Sequence, residues 1–77
     1  MKSHTIHFSR EDLKVRVTRW PADEPGKEPS VEIEVESSAL PHSFLWFDRE
    51  SQIPAFKEMI EEYIEMFHIT KEGENHE

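Results

Sequence analysis

Four glutamates on one predicted helix are the side chains best placed to do chemistry in this chain. Glu58, Glu61, Glu62 and Glu65 stand at i, i+3, i+4 and i+7, so a helix gathers them on one side. Lys57 is the one cation beside them. A second set, Glu32, Glu34 and Glu36, alternates along a predicted strand and projects from one face at intervals of about 6.7 Å. Carboxylate rows of this kind have two uses. Paired carboxylates do acid–base work where burial keeps one of them protonated, and an exposed helix face supplies no such burial. Regularly spaced carboxylates also stand in for phosphates, and then dock on a basic protein surface under electrostatic steering. The plain alternatives are a solvated outer face for the helix row and a charge ladder with Lys14 and Arg16 for the strand row.

Other chemistries are poorly served. The chain has no cysteine, no glycine-rich phosphate loop and no Gly-x-Ser-x-Gly elbow, so the usual nucleophiles and phosphate cradles are missing. His4 and His7 are three apart on a predicted strand and face opposite sides. His42, His68 and His76 are scattered, with no His-x-x-x-His pair on the helix. The expectation is therefore no enzyme, no metal and no cofactor. His68, late in the helix, is a favourable partner for the helix dipole when protonated.

Charge narrows the partner. Residues 1–20 hold five basic and two acidic residues, a net of +3; residues 21–77 hold four basic and fifteen acidic residues, a net of −11. The overall −8 on 77 residues disfavours direct binding to a phosphate backbone. Seventy-seven residues make one small domain with a marginal core. Without disulfides, such a chain leans on tight packing or on a partner, so a homodimer is a fair expectation. No apolar run reaches the roughly 20 residues of a membrane span, and no signal-peptide pattern follows Met1. A cytoplasmic location is expected.

The elements that must position these residues read clearly. Ile6 and Phe8 alternate with Thr5, His7 and Ser9; Leu13, Val15 and Val17 alternate with Lys14, Arg16 and Thr18. These are strands 1 and 2 of a hairpin, with Ser9–Arg10–Glu11–Asp12 as a four-residue loop, Phe8 near Leu13 and Ile6 near Val15. Residues 21–30 carry three prolines and a glycine and form a loop. Val31–Glu36 is strand 3, with Val31, Ile33 and Val35 inward. Returning beside strand 2, it sets Arg16 near Glu34, Lys14 near Glu36 and Thr18 near Glu32. Phe44–Leu45–Trp46–Phe47 is a short apolar run and reads as strand 4, buried on both faces. Asp48 or Ser51 caps a helix from Gln52 to about Thr70, because Pro54 fits only a first turn. Ile53, Phe56, Ile60, Ile64 and Phe67 form its apolar stripe, which Met59, Tyr63 and Met66 widen to about 160°.

The expected fold is α+β: a four-stranded antiparallel β-meander packed on one C-terminal α-helix (ββββα), in two layers. Residues 1–71 form that single domain, and 72–77 form a flexible polar tail. Phe44 and Trp46 point to one face of strand 4, Leu45 and Phe47 to the other, and either pair could face the helix. The pair left over, with Trp20, is covered by a curved sheet or a long loop folded over it, or else serves as an apolar anchor, a dimer seam or a base-stacking platform.

Two resemblances frame the function. Glu36–Ser37–Ser38–Ala39–Leu40–Pro41 is similar to the Glu-Ser segment that phage inhibitors of uracil-DNA glycosylase insert into the enzyme's DNA cleft. Four strands and a helix resemble, in topology, the single-stranded-DNA-binding fold of a family of transcription coactivators. The first implies an inhibitor that mimics nucleic acid; the second implies a nucleic-acid-binding sheet using Trp20, Trp46 and the strand 2 bases. The leading expectation is a small acidic protein-binding module of the phage-inhibitor kind, occupying a basic, nucleic-acid-binding surface on a host enzyme or defence complex. Its partner-binding residues would be Glu58, Glu61, Glu62, Glu65, Glu32, Glu34, Glu36, Phe44 and Trp46. The alternatives are the single-stranded nucleic-acid-binding sheet and a structural subunit acting as a homodimer.

Overall fold

The computed structural model describes residues 2–39 and 41–70. The order is β1 (His4–Arg10), β2 (Leu13–Trp20), β3 (Ser30–Glu36), β4 (Ser43–Phe47) and α1 (Gln52–Phe67). The strands form one antiparallel sheet in the order β1-β2-β3-β4. This is the expected ββββα fold. The predicted tail 72–77, with His76, lies outside the described residues, as does Leu40.

Alternation decides the two faces. Ile6, Val17, Ile33 and Leu45 stand in one cross-strand row, and Phe8, Val15 and Val35 in the next. Period-2 alternation puts all of these on one apolar face. The other face carries His7, Arg16, Glu34 and Phe44 in one row and Thr18, Glu32 and Trp46 in another. The Thr5 and Thr18 hydroxyls hydrogen-bond there at 3.0 Å.

The β1–β2 turn is tighter than expected. Arg10 pairs with Leu13, Phe8 with Val15 and Ile6 with Val17, so the loop is Glu11–Asp12 alone. Glu11 takes the positive φ of 57° that a two-residue hairpin requires to match strand twist. The shift is two residues, an even number, so every side chain keeps its face.

Strand 4 departs from the expectation of burial on both faces. It is an edge strand, and Phe44, Leu45 and Trp46 are all exposed. Among the described residues no element lies outside it to cover them. The register places Leu45 and Phe47 on the apolar face and Phe44 and Trp46 on the polar one.

The helix begins at Gln52 as expected but ends at Phe67, short of Thr70. His68 adopts the left-handed conformation (φ 53°) and donates its N–H to the Glu65 carbonyl at 3.3 Å, while the Ile69 N–H reaches the Ile64 carbonyl at 3.1 Å. These bonds satisfy carbonyls the last turn would leave bare. At the other end Ser51 is the N-cap residue but makes no side-chain cap; its hydroxyl binds Glu28 instead.

The largest difference is how little the helix covers. Ile53 and Phe56 are half-buried, and the Phe56 ring lies 5.3 Å from that of Phe47. From Lys57 onward every described helix residue is exposed, and no helix residue is buried. A helix of 16 residues is about 24 Å long, and it runs out past the sheet, giving an outline of 51 × 26 × 18 Å. The expected layering of the whole stripe on the sheet is therefore confined, within one chain, to the first helical turns. Among the described residues Val31 is the one buried hydrophobic side chain.

Candidate interaction surfaces

The strand glutamates are built into a ladder. Arg16 faces Glu34 across the β2–β3 pair, as the alternation predicts, and the two form an ion pair. His42 reaches the same carboxylate through Nδ1 at 2.7 Å and sits 3.4 Å from Glu36 through Nε2. The Glu34 side chain is 11% exposed, against 48% for Glu36. Glu32 lies between Thr18 and Trp46. Together His7, Lys14, Arg16, Glu34, Glu36 and His42 line a shallow groove of about 320 Å³. Arg16 answers Glu34, whereas Glu36 meets just His42 and neither Glu32 nor Lys14 forms an ion pair among the described residues, so Glu34 is the carboxylate of the row least available to a partner.

The helix glutamates are not answered in this way. Glu58, Glu61, Glu62 and Glu65 are all exposed. Lys57 approaches Glu61 at 3.6 Å and is itself 72% exposed, a geometry worth a few tenths of a kcal/mol at most. The ridge thus keeps its charge in water, on a helix that stands clear of the sheet. Its opposite side carries Ile60, Tyr63, Ile64 and Phe67, all exposed, with the Tyr63 and Phe67 rings 5.2 Å apart.

Phe44 and Trp46, each 58% exposed, share the polar face with the Arg16–Glu34 pair. Trp20 is 43% exposed on that face, two strands from Trp46. These rings are available for contact, but the Arg16 guanidinium on the same face is held by Glu34 and the residue opposite Trp46 is an acid.

One cluster had no strong sequence signal. Arg19 donates to Glu50 from Nε at 2.7 Å and from Nη2 at 3.1 Å, a bidentate pair. It holds the Glu50 carboxyl below its ordinary value, chiefly through the hydrogen bond from Arg19, with desolvation acting the other way and the Arg19 charge adding to the depression. The Arg19 guanidinium is raised by the same contact. Beside it, the Glu50 N–H donates to the Pro29 carbonyl at 2.9 Å. Glu28 accepts from the Ser51 N–H at 2.7 Å and from its hydroxyl at 2.9 Å. These contacts latch the start of the helix to the β2 end and the β2–β3 loop. The partners lie 23 and 31 positions apart, which no local pattern reveals.

Among the described residues no helix is long and apolar enough to cross a membrane. Compared with protein-family models, with curated proteins and with solved structures, the chain matches none.

Proposed function

We propose that this protein is an acidic protein-binding module, acting in the cytoplasm and without catalysis of its own. Its helix ridge would occupy a basic surface on a larger protein, of the kind that binds nucleic acid, and block it as an inhibitor of the phage type does. The observation that carries this reading is the ridge itself: four exposed glutamates, one weak cation beside them, on a helix projecting from its sheet. Such a surface is attracted to a basic cleft over a Debye length of roughly 8–10 Å at ordinary salt, and its association slows as salt rises. Trp46 and Phe44, large and exposed, supply an apolar anchor of the sort that dominates binding energy once buried.

The test uses the full chain as bait in a host lysate, with the captured protein identified by mass spectrometry and then titrated. Reversing Glu58, Glu61, Glu62 and Glu65 to Lys abolishes binding on this reading. Affinity and salt dependence that both stay at the wild-type value refute it.

The exposed Phe44 and Trp46 rings favour a second reading, a sheet that stacks single-stranded nucleic acid. The engaged Arg16 and the facing Glu32 weaken it, since stacking platforms rely on free cations for the phosphates. Fluorescence anisotropy with single-stranded DNA at low salt separates the two: saturable binding below about 100 µM protein supports the sheet.

A further inference from the structure

Two apolar surfaces of this chain lie open, and they fit each other. The first is the sheet face, where Ile6, Phe8 and Leu13 are 57%, 45% and 43% exposed. The second is the helix stripe from Ile60 to Phe67. A folded monomer of 9.2 kDa has an accessible surface of about 4,900 Å². This chain exposes 6640 Å². The excess, counted over all 77 residues, is larger than the ~800 Å² per partner that a specific interface buries.

The chain's own helix is poorly placed to close the gap. The Arg19–Glu50 pair, the Glu50–Pro29 bond and the Glu28–Ser51 bonds fix where the helix leaves the sheet. With its start held there, the helix leaves every described residue from Lys57 onward exposed, and the β1–β2 face stays open to another copy's helix. Its length, about 24 Å, matches strands of seven or eight residues, which span about 23–27 Å. Charge is complementary at the rim as well. Arg10 lies on the apolar face at the hairpin end, and among the described residues its guanidinium engages just the neighbouring Ser9 carbonyl. The incoming helix is flanked by glutamates.

We propose that a second copy of this chain covers the open sheet face with its helix, in a two-fold dimer in which each helix lies on the other subunit's β1–β2 surface. One operator satisfies both surfaces at once, because each chain carries the sheet and the helix that the other needs. The acidic ridge lies opposite the stripe and stays outside, so the dimer presents two ridges. This inference rests on the apolar surfaces and stands apart from the proposed ridge function.

Sedimentation equilibrium of the wild-type chain at roughly 20 µM, where an interface of micromolar or tighter affinity is well populated, tests it first. The expected mass is twice 9.2 kDa; a monomer mass overturns the proposal. The arrangement is tested with single-cysteine variants, Phe8→Cys and Ile64→Cys, in a chain with no cysteine of its own. The two are mixed, refolded together and treated with a short bis-maleimide. A cross-linked pair forms in the mixture well above the yield of either variant alone. Equal yields in all three samples overturn helix-on-sheet exchange even if the mass is dimeric. Neither result depends on the glutamate ridge, so a dimer with a dead ridge and an active ridge on a monomer remain distinguishable.

Discussion

Arg16→Ala probes the strand ladder where it is most sensitive. Glu34 keeps just 11% of its side chain in water and is held by Arg16 and by His42 at 2.7 Å. Deleting Arg16 leaves a largely desolvated carboxylate with one partner. A hydrogen bond to a charged group is worth about 1.5–3 kcal/mol, and an exposed ion pair about 0.2–1 kcal/mol. Arg16 is 48% exposed, so the loss falls between these ranges, at about 1–2 kcal/mol. For a domain of this size that lowers the melting temperature by about 5–12 °C. Lys14→Ala is the internal control. Lys14 faces Glu36, whose side chain is 48% exposed, and forms no ion pair among the described residues, so its removal costs under about 0.5 kcal/mol. Urea unfolding followed by circular dichroism reads both. Equal losses for the two variants would refute the claim that Glu34 is the desolvated member of the row. A further check is Arg16→Leu with Glu34→Leu, which recovers most of the loss, because removing both charges leaves none stranded.

Three other outcomes are expected. The Glu50 carboxyl is depressed in the folded state by Arg19, so its stabilising contribution is present above the ordinary carboxylate value of 4.5 and is lost as pH falls through the lower folded value. Melting temperatures recorded from neutral to acid pH show that limb in the wild type, and Glu50→Gln flattens it. Val31→Ala removes packing at the one buried apolar position among the described residues, 3% exposed, and costs about 1–2 kcal/mol in urea titration. Finally, a dimer melts higher when more concentrated. A tenfold rise in concentration adds about 1.4 kcal/mol per dimer, which for two chains of 77 residues shifts the transition by about 4 °C; a concentration-independent melt by differential scanning calorimetry contradicts the exchange of helices.

Much of the fold was legible because side-chain period reports secondary structure directly. The alternation of Val31, Ile33 and Val35 with glutamates names strand 3, and its charge match with Lys14 and Arg16 sets the β2–β3 register, which the structure reproduces pair for pair. The hairpin loop is two residues shorter at its N-terminal end than the sequence predicts, because Ser9 and Arg10 are polar whether they lie in a strand or a turn. The positive φ at Glu11, which decides the matter, leaves no mark on residue type. The helix end shows the same limit: His68 and Ile69 close the last turn with backbone bonds, while the apolar Ile69 lies past it.

The candidate surfaces divide along a similar line. By itself the sequence determined the two rows of glutamates, their faces and the width of the apolar stripe, because these follow from periodicity within one element. Tertiary structure alone decided which row is free. Glu34 is paired with Arg16 and contacted by His42, and His42 arrives from a loop whose path no period describes. It also decided that Phe44 and Trp46 stand on the polar face, since that depends on pairing with β3. Above all it decided the direction of the helix. The latch of Arg19, Glu28, Glu50 and Ser51 joins residues far apart in the chain, and such contacts aim an element without altering the local pattern that forms it.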